Sequence, residues 1–277
     1  MKSYLKLLNF EMNRLAKFLF ILIIVVFGIQ IAGTVVISLG FTSEINDLMI
    51  RQGLTEEEVL NVFGKMTFQQ IVISVFFFGT IFIAATSVLF YIFLIWYRDW
   101  VGKNTFANRL LMLPTNRINV YLAKLSTILI MTLTFVALQI ILLKFEIQLF
   151  EWIVPEAFRE DLTVSQALRQ SIEMGLLYPY TFFEFLINYG TGITLVAVIF
   201  TFILFERSYR VKGIFIGIGY GVLSILVLFS PFYINDLLLN NYFYTDELIL
   251  MFIMADIIVL GSAIFLGHYL LKNKIRI

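Results

Sequence analysis

Residues 96–124 read WYRDWVGKNTFANRLLMLPTNRINVYLAK, and the arrangement of the rest of the chain follows from them. The stretch carries Arg98, Asp99, Lys103, Arg109, Arg117 and Lys124. An uncharged run from Met66 to Tyr97 precedes it, and another from Leu125 to Leu143 follows it. A helix needs about 20 apolar residues to cross a bilayer core, so 96–124 is a polar connection between two spans. Outward from it, four more uncharged or nearly uncharged stretches have the same length. The expected spans are Phe18–Gly40, Phe68–Ile95, Leu125–Leu143, Phe185–Phe205, Gly213–Asn235 and Leu248–Leu271, the last interrupted only by Asp256.

Composition agrees. Hydrophobic residues make up 60% of the chain and charged residues 14%, and the mean hydropathy is +0.92. A soluble domain carries about a quarter charged residues. The expected fold class is therefore all-α: a polytopic membrane protein with six transmembrane helices, forming one domain over residues 1–277 with no soluble domain attached. Fifteen of the 20 Lys and Arg residues fall on one side of this topology: at 1–17, 96–124, 206–212 and 272–277. The positive-inside rule makes that side cytoplasmic, with both termini on it, in the cell membrane. The other side is acidic, with Glu44, Asp47, Glu56, Glu57 and Glu58 in its first loop and Glu146 to Glu173 in its second.

Several chemistries are excluded. There is no cysteine, so disulfides, thiolate metal sites and Cys nucleophiles are absent. His268 is the single histidine, and no metal or catalytic set can be assembled around it. No G-x-x-x-x-G-K-[ST] motif is present, so nucleotide is not expected on this chain. A net charge of +1 gives no reason to expect nucleic acid.

Local patterns add detail. Residues 1–17 are basic and amphipathic, with Leu5, Leu8, Met12 and Leu15 at helical spacing, which predicts a separate helix lying in the interface. Thr55 with Glu58, and Thr163 with Gln166, predict capped short helices in the outer loops. Tyr178, Tyr180, Phe182 and Phe183 suit an interfacial aromatic belt. Pro231 is expected to end the fifth span, with Leu237–Tyr244 re-entering as a shallow helix. Gly213, Gly217 and Gly221 form small-xxx-small pairs suited to close helix packing, with a partner in this chain or another. Asp256, the acid well inside a span, is a candidate for a translocation path. Glu206, Arg207 and Arg210 form a short basic turn that serves either as an anchor or as a second cytoplasmic contact.

In the long connection, Phe106, Leu110, Leu111 and Leu113 place an apolar surface among polar residues, and Pro114 closes it. A short helix with an apolar face outside the membrane suits a partner's groove.

The run TFANRLLMLPTNRINVYLAKL (105–125) resembles the stretch after the second span in ABC-2 type permeases, the transmembrane subunits of ATP-binding cassette transporters. The leucines, the Leu-Pro-x-x-Arg and the Lys entering span three all match. The resemblance is closest to Gram-positive stand-alone permeases that export peptides or antimicrobials, or to acetoin-utilisation permeases. It implies an N-terminal elbow helix at 1–17 and a coupling helix within 96–124 that docks on a cytoplasmic ATPase subunit. Arg98, Asp99, Lys103, Phe106, Arg109, Leu110, Leu113 and Pro114 would make that contact. It also implies ATP and Mg on the partner, a second permease (identical or a paralogue), and alternating access. The Phe-, Ile- and Leu-rich spans favour an amphipathic or hydrophobic cargo. An importer or acetoin-type permease, or a non-transporting scaffold or sensor partner, is the alternative. The outer loops are larger than the family pattern suggests.

Overall fold

The computed structural model describes residues 2–100, 110, 112, 115–169 and 172–275. Lys103, Phe106, Arg109, Leu111, Leu113 and Pro114 lie outside the described residues. Six of the described helices are long and apolar enough to cross a membrane: α1 (Lys2–Arg51), α4 (Val75–Trp100), α5 (Ile118–Ile153), α8 (Phe182–Tyr209), α9 (Val211–Leu237) and α10 (Thr245–Asn273). Shorter helices are α2 (Glu56–Phe63), α3 (Gln69–Val72), α6 (Val164–Arg169) and α7 (Ile172–Leu177). The fold is all-α and polytopic, as a sequence of this hydropathy dictates.

The chain forms two compact units. The first comprises Met1–Arg14, Leu89–Ile130 and Pro179–Ile277. The second comprises Leu15–Val88 and Met131–Tyr178. Helices α1, α4 and α5 each contribute one end to each unit. In the first unit α8 packs on α9 and α10, which also touch each other. The second unit has its own apolar core, built on Ile45, Val59, Phe68, Phe77, Leu143 and Phe150 among others.

The described part of the 1–17 segment, residues 2–17, is not a separate interfacial helix. It is the start of α1, which runs unbroken for 50 residues, about 75 Å at 1.5 Å per residue. The first glycine is Gly28 and the first proline Pro114, so nothing interrupts the hydrogen-bond ladder between segment and span. Helices α4 and α5 likewise differ from the expected spans. α4 begins at Val75, because residues 68–74 form the short helix α3 and a turn in the core of the second unit. α5 runs past both expected ends because no helix breaker stands between Ile118 and Ile153.

Pro231 does not end the fifth span either. It sits inside α9. Its missing N–H frees the carbonyl of Val227, and the Ser230 hydroxyl donates to that oxygen at 2.8 Å, a repair that lets membrane helices keep proline. The expected re-entrant helix at 237–244 is instead a tight turn. Asn240 and Asn241 take positive φ values of 47° and 60°, a conformation Asn tolerates. The Asn241 amide donates to the Asn235 carbonyl at 2.9 Å, and the Phe243 amide donates to Asn235 Oδ1 at 3.0 Å.

Both expected capping patterns form. The Thr55 amide donates to Glu58 Oε2 at 2.8 Å, completing a capping box at α2. The Thr163 amide donates to Gln166 Oε1 at 2.8 Å ahead of α6. A two-residue parallel bridge joins β1 (Met66–Thr67) to β2 (Arg159–Glu160). Arg159 is held there by the carbonyls of Glu151 and Val154, at 2.7 and 2.9 Å, and by Asp161.

The α2 cap is pH-dependent. The Thr55 amide, then its hydroxyl, hold the Glu58 carboxyl below the usual carboxylate range. A depressed folded value means the cap's contribution is present above 4.5, the ordinary value, and is lost as pH falls through the folded value. Amide protection in residues 56–59, corrected for intrinsic exchange rates, should therefore fall at acid pH in the wild type. In Glu58→Gln, whose amide oxygen accepts at every pH, it should stay level. Equal acid sensitivity in both would assign the fraying to another group.

Candidate functional site

The stretch 96–124 begins and ends in a buried ion cluster of the first unit. Glu11 comes from α1, Asp99 from the last turn of α4 and Lys124 from α5. Their exposures are 2%, 2% and 0%. The Lys124 ammonium has three donors, and all are used. Glu11 Oε1 lies at 2.7 Å, the Ile95 carbonyl at 2.7 Å and Asp99 Oδ2 at 2.5 Å. The free oxygen of each carboxylate takes an arginine. Arg14 Nη1 reaches Asp99 Oδ1 at 2.8 Å, and Arg98 Nη2 reaches Glu11 Oε2 at 3.0 Å. The two arginine side chains stay about a quarter exposed, at 23% and 26%. Three cations thus enclose two anions, and Lys124 also lies over the Trp96 ring at 5.2 Å, a favourable cation–π position.

An aromatic layer continues from the cluster. Trp96 meets Phe200 edge-on at 5.5 Å, and Phe200 meets Tyr121 at 5.7 Å. The Tyr121 hydroxyl donates to the Ala197 carbonyl at 2.9 Å, and Thr201 Oγ1 donates to Ala263 at 3.0 Å. Within the first unit, α4, α5, α8 and α10 therefore meet at the base of the connection.

Arg117, the arginine of Leu-Pro-Thr-Asn-Arg, reaches the far end of α10. Its Nη1 donates to the carbonyls of Leu271 and Ile275, the latter at 3.2 Å. The last carbonyls of a helix lack intrahelical partners and carry its negative pole, which suits a guanidinium.

The residues singled out in the sequence separate clearly. Asp99 is not displayed to a partner, because its carboxylate is buried under Lys124 and Arg14. Arg98 spends its charge on Glu11. Leu110 is buried with Leu7, Val120 and Ala123, with Tyr4 and Leu8 alongside, so this member of the apolar surface covers its own chain. Glu206 accepts a hydrogen bond from the Tyr97 hydroxyl. The Arg207 guanidinium lies over the Tyr97 and Trp100 rings at 4.8 and 5.1 Å. Arg210 remains exposed at the turn between α8 and α9, with φ 53°.

Gly213 and Gly217 pack against their own neighbour α8. A Cβ on Gly213 would stand 2.0 Å from the Phe205 carbonyl oxygen, and one on Gly217 would stand 2.6 Å from the Phe202 ring. Gly221 has nothing within 4 Å of a Cβ position. Asp256 is buried on α10 opposite Gly190 of α8, where a Cβ would come within 3.6 Å of Oδ2. Its Oδ1 has no hydrogen-bond partner among the described residues.

Glu11 and the capping role of Arg117 were not read from the sequence. A signal existed for the first. Glu11 is the sole acid before Glu44, and Asp99 is the sole acid in 96–124. A lone acid in a basic segment beside a span marks a buried pair. No protein-family model, curated protein or solved structure matches the chain.

Proposed function

We propose that the chain is the permease subunit of an ATP-binding cassette transporter of the ABC-2 type in the cell membrane. Residues 96–124 then lie in the cytoplasm and dock on a separate ATPase subunit that holds ATP and Mg. A second permease completes the pathway, and the cargo is amphipathic or hydrophobic and is exported. The motif in 105–125 supports this reading. The observation that carries it is the anchoring of that motif. Asp99 at one end of the connection, and Arg117 and Lys124 at the other, are tied to α1 and α10 by buried or half-buried bonds. A displacement imposed on the connection by a nucleotide-driven partner reaches those helices directly. Coupling requires only that the partner bind two arrangements with different affinity. With Arg98, Asp99 and Leu110 engaged inside the chain, the docking contacts fall to Lys103, Phe106, Arg109, Leu113 and Pro114. Asp256 supplies a polar point for cargo within the first unit.

The test uses this chain reconstituted with an ATPase encoded beside its gene. Phe106→Ala and Arg109→Glu should each lower transport by roughly thirtyfold, the loss of about 2 kcal/mol typical of an interface hot spot. Hydrolysis by the ATPase should continue and the thermal midpoint should be unchanged. Normal coupled turnover in both variants would remove the assignment. A complex showing no substrate-stimulated hydrolysis would favour a scaffold.

A further inference from the structure

The second unit contains an acid that nothing above uses. Glu146 on α5 is fully buried at 0% exposure, and neither carboxylate oxygen has a hydrogen-bond partner among the described residues. It sits among Leu143, Ile147 and Phe150 of the apolar core. The charged groups of the packed elements are committed elsewhere. Asp47 pairs with Arg51, Glu58 caps α2 and Arg159 holds Asp161. Glu44 and Lys65 are exposed, as is Lys144 on the same helix.

Glu146 is one of a set. Gln30, Thr34 and Ser38 follow one another on a single face of α1, one turn apart, and all are buried. Gln30 Nε2 donates to Thr80 Oγ1 at 2.7 Å and to Gln139 Oε1 at 3.1 Å. Thr42 Oγ1 lies 3.5 Å from the Ile153 carbonyl. The Gln30–Gln139 and Thr42–Ile153 contacts show that α1 and α5 run parallel and side by side here. Seven residues beyond Gln139 is Glu146, and eight beyond Gln30 is Ser38. At 1.5 Å per residue the steps are about 10 and 12 Å, so the two groups share one level. Gln30 Oε1, Thr34 Oγ1, Ser38 Oγ and Gln139 Nε2 are likewise unpartnered. A file of unmet polar atoms ending on an unpaired acid is costly in an apolar core.

An ionised carboxylate with no counter-charge is not stable in such a place. A metal cation would need several oxygens gathered around one point. These acceptors are strung along two helices a turn or more apart, and no cluster of three His, Cys, Asp or Glu occurs among the described residues. A proton needs one acceptor. We propose that Glu146 is a proton-binding site. Its carboxyl carries the proton in the closed packing of the second unit, and release of that proton opens the file of Gln30, Thr34, Ser38 and Gln139 to water. In the release step the carboxyl O–H bond breaks, its electron pair stays on oxygen, and the proton passes to water as hydronium. The site stands whether or not the chain is a permease; if it is, transport becomes pH-linked.

The experiment is hydrogen exchange on the full chain in lipid nanodiscs at mildly acid and mildly alkaline pH, corrected for intrinsic rates. In the wild type, segments 30–38 and 139–146 should lose protection at alkaline pH. In Glu146→Gln they should stay protected at both values. Wild-type protection independent of pH, or a Glu146→Gln variant that opens like the wild type, overturns the proposal. So does protection that follows sodium or potassium at fixed pH. If Glu146→Gln does not fold, Glu146→Leu replaces it. An infrared titration in the Asp256→Asn background then reads the acid carbonyl stretch of Glu146, which must be present at acid pH and vanish on titration; its absence overturns the proposal.

Discussion

Lys124→Ala should cost about 3–5 kcal/mol of stability, the range for stripping one partner from a buried ion pair. The thermal midpoint in detergent should fall by roughly 10 °C. The size of the effect comes from what is left behind rather than from what is removed. With the ammonium gone, the Glu11 and Asp99 carboxylates keep one arginine each but remain buried against each other's charge. The Ile95 carbonyl also loses its donor. Lys124→Arg should not rescue, because a planar fork cannot replace three divergent donors. Removing the three fully buried members is different, because Arg14 and Arg98 are about a quarter exposed and can turn to water. Lys124→Met with Glu11→Gln and Asp99→Asn takes away both anions and their cation together, and should recover most of the loss. A single Lys124→Ala variant with a midpoint within a degree or two of wild type would show that the cluster is hydrated.

The second large effect is expected at Gly213. In Gly213→Ala the new methyl would meet the Phe205 oxygen at 2.0 Å and its carbonyl carbon at 2.6 Å. Both are backbone atoms and cannot rotate away. The α8–α9 hairpin must open, at a cost at or above the upper end of the 1–3 kcal/mol typical of overpacking. Gly217→Ala meets only the Phe202 ring, which can swing, so its cost is smaller. Gly221→Ala meets nothing and should be neutral or slightly stabilising through helix propensity. Thermal unfolding of the three variants should rank 213, 217, 221. Indistinguishable midpoints for Gly213→Ala and Gly221→Ala would place the hairpin contact elsewhere.

The features legible in the sequence were those carried by neighbouring residues. Apolar run length located six helices, and Thr55 with Glu58 and Thr163 with Gln166 marked two helix starts. Of the three glycines read as small-xxx-small pairs, Gly213 and Gly217 lie close against α8, while Gly221 has nothing near it. Features that depend on distant residues were not legible. Glu11 and Lys124 are separated by 113 positions; the lone acid signals that a partner exists, and nothing local says which residue it is. Two local features were missed as well: the fate of Pro231 turned on the adjacent hydroxyl of Ser230, and the 237–244 segment on the nearby side chain of Asn235. A helix-breaker rule sees neither. The expectation of a separate helix at 1–17 rested on its basic, amphipathic pattern and, for an elbow, on the family resemblance. Polarity says where a helix meets water, not where its hydrogen-bond ladder stops.

The cluster also sets a timetable for biogenesis. Glu11 and Asp99 are translated before the lysine that bridges them. Membrane helices insert first and pack afterwards. While the nascent chain is shorter than 124 residues, the amino-terminal turns of α1 and the last turn of α4 have no ammonium to close upon, and they must stay hydrated at the membrane surface. Emergence of α5 therefore acts as the latch that closes the cluster, before α8, α9 and α10 join the first unit. An insertion intermediate arrested before that point would hold the two carboxylates with one arginine each and no ammonium, an incomplete site at which quality control could act.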